Sequence, residues 1–220
     1  MGPSTRLPPV QALSMTSIAG TVFAVDDDHG MRKALQRLCQ SAGLKVKTFA
    51  SAREFLDGGA PESPACIVLD VRMPGLSGLD LQAEITTRNI QTPIVFITGQ
   101  GDIPMSVKAM KAGAVDFLTK PFHHKALIAV IRNAISKDVR LKASQNEQET
   151  IQRRLQILTP REHQVFEMVI KGMLNKQIAF ELGTSEQTIK VHRGRVMEKM
   201  QVASVAELVQ AAVKIGVLKS

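Results

Sequence analysis

The sequence predicts an α/β domain built on a doubly wound, five-stranded parallel sheet, followed by a small all-α domain. Three observations predict this organisation: five short apolar runs alternate with helical patterns, a polar stretch follows them, and every later pattern is helical. The predicted boundaries are a flexible N-terminus at 1–17, the α/β domain at 18–140, a helical linker at 141–156 and the all-α domain at 157–220.

The strands are predicted from short runs rich in Val, Ile and Phe that turn residues bound on each side. The third run is apolar up to its final aspartate, which is typical of a parallel strand covered on both faces. The second alternates and is expected to be more exposed. In order, the runs are TVFAV at 21–25, KVKTF at 45–49, CIVLD at 66–70, TPIVFIT at 92–98 and AVDFLT at 114–119.

Capping residues and apolar stripes predict the helices between the strands. A serine followed three residues later by an acid forms a capping box, which opens a helix, and a glycine after an apolar stripe ends one. The markers are Met31, Leu35 and Leu38 before Gly43, Ser51 with Glu54, Ser77 with Asp80, Pro104 in the first turn of a helix ending at Gly113, and an amphipathic pattern at 124–139.

The C-terminal helices follow a polar stretch that has good helix propensity and no sustained heptad. Thr159, Pro160 and Glu162 form a capping box with proline at the first helical position. The further predicted helices are 160–171 before Gly172, 175–182 before Gly183, 186–200 behind Ser185, and one from about Ser204.

Acidic, hydroxyl and ammonium groups follow four of the five predicted strands. Taken singly, an acidic run can be a helix cap and a Lys-Pro pair can be a turn. Because the carboxyl ends of parallel strands share one edge of the sheet, however, these groups are expected to meet. Clustered carboxylates need a cation, and an all-oxygen set suits Mg²⁺. The residues are Asp26, Asp27 and Asp28, then Asp70, Thr98 and Lys120.

The motifs VDDD, VLDVRMPG, ITG and LTKPF resemble, in this order and spacing, the receiver domain of bacterial two-component response regulators, which has a flavodoxin-like fold. The resemblance covers about residues 18–140. It implies that Asp70 accepts a phosphoryl group from a sensor histidine kinase, that Lys120 pairs with that group and that Thr98 hydrogen-bonds to it. The implied ligands of Mg²⁺ or Mn²⁺ are Asp26, Asp27, Asp70 and the backbone carbonyl of Arg72.

The same resemblance implies a switch and a cis peptide. Phe117 stands where receivers carry an aromatic residue that moves inward when the threonine is drawn to the phosphate, although a strand-core role would also explain it. The peptide between Lys120 and Pro121 would be cis. Asp28 is interpreted as a helix-entry residue.

Two helices joined through GTS, the second longer and basic, have the form of a helix-turn-helix. Projected at 100° per residue, Ile189, Val196 and Met200 share one side of the second helix. On the opposite side a glycine allows close approach, a valine can meet a thymine methyl group, and cations can reach guanine or phosphate. This side carries Gln187, Val191, Gly194 and Glu198, flanked by Lys190 and Arg195.

LTPRE, NKQIA and TIKVHRGRVMEKM resemble the LuxR-type helix-turn-helix of NarL/FixJ-class response regulators, over about residues 156–218. The resemblance implies that residues 185–200 enter the major groove with Lys190 and Val191 toward the bases. It also implies that the last helix dimerises, although that helix could equally close the bundle. The implied DNA-backbone contacts are Asn175, Lys176, Thr184, His192 and Arg193.

Together these features predict a DNA-binding transcriptional regulator that forms a homodimer when phosphorylated. Its expected partners are a sensor histidine kinase and promoter DNA, with RNA polymerase as a further candidate. An aspartate phosphohydrolase of the haloacid dehalogenase type is disfavoured, because Arg72 stands where such an enzyme has a second acid. The remaining alternative is a protein-binding regulator whose basic helix never meets DNA.

Composition fits this reading and predicts the compartment. The formal charge of +8 makes a polyanionic partner reasonable. Cys39 and Cys66 lie in core patterns and are expected to be reduced thiols. No apolar run approaches the ~20 residues of a membrane helix, and residues 1–17 lack the features of a signal peptide. A cytoplasmic protein without membrane contact is therefore expected.

Overall fold

The computed structural model describes residues 19–59, 61–99 and 103–218 of the chain, which divides into two compact units after Lys142. The predicted flexible segment at 1–17 lies outside the described residues. Among the helices of the described ranges, none combines the length and the apolar character that a membrane span needs.

The first unit contains a five-stranded sheet in the order β2-β1-β3-β4-β5. Every neighbouring pair is parallel, so the predicted fold class is confirmed. The strand that carries the predicted phosphoacceptor lies at the centre of the sheet and is buried along its whole length. The strands are β1 (Thr21–Val25), β2 (Lys45–Phe49), β3 (Ala65–Asp70), β4 (Ile94–Thr98) and β5 (Asp116–Thr119).

Helices cover both faces of this sheet. One apolar core unites α2, α3 and α4 with one face, and a second core unites α1 and α5 with the other. The capping serines predicted at positions 51 and 77 accept hydrogen bonds from backbone N–H groups at the starts of α2 and α3. The helices are α1 (His29–Ser41), α2 (Ala52–Asp57), α3 (Gly78–Thr87), α4 (Ile103–Lys111) and α5 (His124–Gln156).

The helix α5 is longer than the amphipathic pattern at 124–139 predicts. It continues without a break to Gln156, so the segment predicted as a helical linker is its second half. No proline or glycine interrupts residues 140–156, and the residues there are good helix formers. The division between the two compact units falls within this helix, after Lys142.

Two contacts fix the ends of the central strand β3. At its start, the backbone N–H of Ala65 donates to a carboxylate oxygen of Asp138 at 2.9 Å, and Asp138 is 1 % exposed. At its other end, Gly78 begins α3 so close to the strand that a Cβ there would overlap the carbonyl oxygen of Asp70. The absence of a side chain at position 78 therefore allows α3 to start against the end of β3.

The second unit is a helical bundle around its own core. Thr159 and Glu162 form the predicted capping box, with Pro160 in the first turn. Ile189, Val196 and Met200 are buried in this core, as their shared helix face predicts. The helices are α6 (Pro160–Ile170), α7 (Asn175–Glu181), α8 (Glu186–Met200) and α9 (Val205–Lys214).

Both cysteines are buried and unpaired, as their positions in core patterns predict. Burial raises the pKa of the Cys39 thiol to about 11, and it raises the pKa of Cys66 further. Both thiols therefore stay protonated and unreactive at neutral pH.

Candidate functional site

Three carboxylates converge at the carboxyl edge of the sheet. Asp26 and Asp27 follow β1, and Asp70 ends β3, the neighbouring strand. One carboxylate oxygen from each lies within 4.8 Å of the other two. Asp26 and Asp70 are buried, whereas Asp27 is exposed. The group is rich in oxygen, is open to solvent on one side and could hold a metal ion.

The ammonium of Lys120 joins two of these acids. Its Nζ atom donates to Asp26 Oδ2 at 2.8 Å and to Asp70 Oδ2 at 3.0 Å. Lys120 follows β5, at the far side of the sheet from β1, and its side chain is 17 % exposed. The sheet thus brings three separate strand ends into direct contact. The Lys120–Pro121 peptide is cis.

Burial and pairing shift the ionisation of this cluster in opposite directions. Burial raises the pKa of Asp26 above its ordinary value, although hydrogen bonds from Lys120 and from the backbone N–H of Asp28 oppose the rise. Partial burial acts to lower the pKa of Lys120, but its hydrogen bonds to Asp26 and Asp70 outweigh that effect and the pKa is raised. Lys120 is therefore cationic at neutral pH, and the buried acid gains from any additional positive charge.

The loop after β1 is held by groups that the site itself does not use. Asp28 caps α1 by accepting from the backbone N–H of Met31 at 2.9 Å, which agrees with its interpretation as a helix-entry residue. This hydrogen bond lowers the pKa of Asp28. Arg32 donates from Nη1 to the carbonyl oxygens of Asp26 and Asp27, at 2.7 and 2.9 Å. The backbone of the acidic loop is thereby tied to α1.

The remaining predicted receiver residues lie at or near the same edge. Thr98 ends β4, is fully buried and accepts from the backbone N–H of Lys120 through its carbonyl oxygen. Phe117 is partly buried in β5, with its ring centroid 6.3 Å from that of Phe96. Arg72 is exposed in the loop that follows Asp70.

The second candidate site is the outer face of α8. Gln187, Lys190 and Arg195 are exposed, and Val191 keeps 47 % of its surface in solvent. Ser185 caps the helix by accepting from the backbone N–H of Thr188 at 3.1 Å. An exposed valine among cations on a well-capped helix is an arrangement that can meet bases and phosphates.

Some of the residues predicted to contact the DNA backbone are engaged in contacts within this unit. Arg193 donates from Nη1 to Asn175 Oδ1 at 2.8 Å, which connects α8 with the start of α7. Lys176 is exposed, and Thr184 is half-buried in the turn between the helices. His192 is half-buried, and its Nδ1 atom is buried without a hydrogen-bond partner among the described residues. Only the other ring nitrogen of His192 can therefore face a phosphate.

Comparison with known proteins identifies both parts of the chain. The family described as the response regulator receiver domain matches residues 22–132, and the family described as bacterial regulatory proteins of the luxR family matches residues 156–212. Transcriptional regulatory protein FixJ of Azorhizobium caulinodans is 43% identical over 196 residues, which are 89% of this chain and 93% of that protein. This chain is a response regulator of the NarL/FixJ class.

Two further similarities cover nearly the whole response regulator. Nodulation protein W of Bradyrhizobium diazoefficiens is 46% identical over 201 residues, which are 91% of this chain and 88% of that protein. The solved structure of the response regulator StyR is 46% identical and superposes with a TM-score of 0.80 over 89% of this chain and 99% of that one. The regulator thus belongs to a class of DNA-binding transcriptional regulators rather than to an enzyme family.

Two contacts of the regulator are not predicted from its sequence. Arg32 lies one turn into α1 and could have been suspected as a cation four residues after the helix cap Asp28, but its carbonyl partners depend on the loop conformation. Asp138 is an acid on the buried stripe of α5, a pattern that indicates a polar partner in the core.

Proposed function

We propose that this regulator accepts a phosphoryl group on Asp70 from a sensor histidine kinase and then binds promoter DNA through α8 as a homodimer. The observation that carries the proposal is the convergence of Asp26 and Asp70 on the ammonium of Lys120, at 2.8 and 3.0 Å. Membership of the NarL/FixJ class supports a kinase and DNA as the partners.

Asp70 acts as the nucleophile. One of its carboxylate oxygens bonds to phosphorus while the bond from phosphorus to the histidine nitrogen of the kinase breaks, and the departing imidazole takes up a proton. The reaction needs alignment and positive charge more than covalent help from the protein. Lys120 neutralises an oxygen of the transferred group, and the Thr98 hydroxyl donates a hydrogen bond to it.

Asp26, Asp27 and Asp70, with the backbone carbonyl of Arg72, would hold Mg²⁺ or Mn²⁺. The residues fit such an ion because all the donors are oxygens and because the buried Asp26, whose pKa is raised, benefits from a nearby cation. When bound, the ion supplies positive charge to the oxygens of the transferred group.

The phosphorylated state is expected to last long enough to signal. Position 72, two residues after the nucleophile, holds an arginine and not an acid that could activate water or protonate a leaving group. Hydrolysis of the acyl phosphate therefore lacks a general acid or base at the place where an aspartate phosphohydrolase has one.

Incubation with acetyl phosphate and Mg²⁺ tests this half of the proposal. Intact-mass measurement should show the addition of one phosphoryl group, and Asp70→Asn should abolish it. Asp28→Asn is the matched control. This substitution removes the same charge from the same edge of the sheet, but Asp28 serves as a helix cap. Turnover of acetyl phosphate without an adduct, or an adduct that survives Asp70→Asn, would contradict the assignment.

The DNA half rests on the exposed polar face of α8. Lys190 and Val191 are proposed to face the bases, with Gln187 and Arg195 beside them. Contacts with the DNA backbone are assigned to Asn175, Lys176, Thr184, His192 and Arg193.

Selection of duplexes from a random-sequence library by the phosphorylated protein tests the DNA half. A single enriched sequence whose binding weakens steeply as salt rises supports DNA recognition, because cations that contact phosphates release counterions. Failure to enrich any sequence would instead support a regulator that acts through protein partners.

Phe117 is proposed to report phosphorylation to the dimer-forming surfaces. Its ring packs at the edge of a core shared with Phe96, so it can take up an inward position when Thr98 is drawn to the phosphoryl group. Phe117→Leu should keep the phosphoryl adduct and lose the gain in dimerisation, measured by analytical ultracentrifugation. Dimerisation equal to that of the unchanged protein would remove Phe117 from this role.

The cell compartment and RNA polymerase complete the proposal. A cytoplasmic location is inferred because a promoter-binding protein must reach DNA. Contact with RNA polymerase is inferred for the promoter-bound dimer.

A further inference from the structure

The end segment of α5, residues 147–155, is packed into the second compact unit. Ile151 is 6 % exposed and Leu155 is partly buried, both within the core that surrounds α6, α8 and α9. The polar composition of this stretch does not predict such burial. The segment is therefore a structural part of the helical bundle.

Polar side chains of this end segment donate hydrogen bonds to carbonyl oxygens at the C-terminal ends of two bundle helices. The last carbonyl groups of a helix have no partner within the helix. Arg154 donates from Nη1 to the carbonyl oxygen of Met200 at 3.2 Å and from Nη2 to Gln201 Oε1 at 2.6 Å. Gln148 donates to the carbonyl oxygen of Lys214, at the end of α9, at 2.9 Å.

A second connection runs from α8 back toward the start of α6. Lys199 donates from Nζ to the carbonyl oxygen of Ile157 at 3.2 Å and to Glu162 Oε2 at 2.5 Å. Glu162 is 2 % exposed and also completes the capping box of α6. Adjacent residues at the end of α8 are thus held by α5 on one side and by α6 on the other.

The base-facing residues of α8 lie far enough from its C-terminal end for a small rotation about that end to displace them. Lys190 and Met200 are ten positions apart, so about 15 Å of helix separates them. A tilt of roughly 10° about the C-terminal end would displace the base-facing residues by about 2–3 Å. Hydrogen bonds to bases tolerate only a few tenths of an ångström, so recognition depends on how firmly that end is held.

We propose that Arg154 is a positioning residue for base recognition: by holding Met200 and Gln201, it fixes the orientation in which α8 presents Lys190 and Val191. The inference rests on the proposed binding of DNA by α8. Arg154 itself contacts no base.

Arg154→Met in the full-length, phosphorylated protein is the first test. Its affinity should be measured for the duplex that the unchanged protein selects and for a shuffled duplex of equal length. Affinity for the selected duplex should fall about tenfold, because misplaced base contacts lose most of their discrimination. Affinity for the shuffled duplex should stay within about twofold, because phosphate contacts tolerate displacement.

Arg153→Met is the matched control. Arg153 neighbours Arg154 and carries the same charge, but it donates hydrogen bonds to the carbonyl oxygen of Glu149 and to Thr150 Oγ1, both within α5. Its substitution should leave the ratio of the two affinities unchanged. An equal loss of that ratio in both variants would mean that charge on α5, and not the contact with α8, is responsible.

Gln201→Gly separates positioning from stability. Gln201 has φ +54°, a left-handed conformation that glycine adopts more readily than glutamine does. The thermal midpoint should therefore hold or rise, while loss of the Arg154 partner should still lower the affinity ratio. A stable variant with an unchanged ratio would exclude the Gln201 contact from the inference and leave the Met200 carbonyl as the group through which Arg154 acts.

Two failures can be told apart. If the unchanged protein selects no sequence, the proposed DNA function fails and the role of Arg154 fails with it. If the unchanged protein selects a sequence and Arg154→Met retains the full affinity ratio, only the positioning role is wrong.

Discussion

The edge of the sheet and the outer face of α8 hold their charged groups in different ways. At the sheet edge, Asp26, Asp70 and Lys120 are largely buried and bonded to one another. On α8, Lys190 and Arg195 project into solvent. Phosphoryl transfer needs charges that are fixed before the reactant arrives, whereas DNA brings its own counter-charge. The difference predicts that substitutions at the first site change stability and that those at the second change mainly affinity.

The largest expected effect comes from Lys120→Met in protein without metal. The buried carboxylate of Asp26 would lose its cation, so the free energy of unfolding at pH 7 should fall by about 3 kcal/mol. Urea denaturation in the presence of a chelator measures this. Lys214→Met is the control, since the Lys214–Glu147 pair is about half exposed and its loss should cost less than about 1 kcal/mol. Equal losses of unfolding free energy in the two variants would contradict the prediction that the buried ion pairs contribute more to stability than the exposed pair.

Mg²⁺ should stabilise the folded protein, because it adds positive charge beside the buried acids. At a concentration of one hundred times its dissociation constant, the expected gain is about 2.7 kcal/mol. A thermal melt with and without Mg²⁺ measures it. Asp27→Asn should remove the gain and Asp28→Asn should keep it. A gain that persists in Asp27→Asn would exclude that carboxylate from the metal site.

On α8, Lys190→Ala should lower affinity for the selected duplex by about 1–3 kcal/mol and relax discrimination at one base pair. Lys176→Ala should weaken binding to all sequences and reduce the slope of log affinity against log salt by about 1. Neither variant should change the thermal midpoint, because both side chains are exposed. Lys171→Ala, an exposed cation of the same unit outside the proposed contact set, should leave both quantities unchanged.

The smallest expected effect is a pH dependence in the second unit. The hydrogen bond from Lys199 lowers the pKa of Glu162 in the folded protein. The ionised Glu162 therefore stabilises the fold fully above its ordinary pKa of 4.5, and this stabilisation is lost as pH falls through the lower pKa of the folded state. Glu162→Gln should cost roughly 1 kcal/mol at pH 7 and flatten the acid limb of the stability curve. Glu167→Gln, on an exposed part of the same helix, should leave that limb unchanged.

The sequence predicts the sheet edge well because topology converts strand order into proximity. Once β1, β3 and β5 are known to be parallel, their ends must meet, and Asp26, Asp70 and Lys120 do meet. The contacts of Arg32 and Arg154 were not predicted, since each joins a long side chain to backbone carbonyl groups whose positions depend on how loops and helix ends pack. The predicted helical linker is helical, but its continuity with α5 and the burial of its end do not follow from the sequence, because a polar run with good helix propensity does not reveal which surface it covers.

Gly78 offers a way to separate geometry from charge in this protein. A methyl group at that position would press on the peptide plane of the proposed nucleophile without altering any ionisable group. Gly78→Ala would therefore displace the Asp70 backbone. The rate of phosphorylation in that variant would show whether the in-line reaction tolerates misalignment when the electrostatics are left intact.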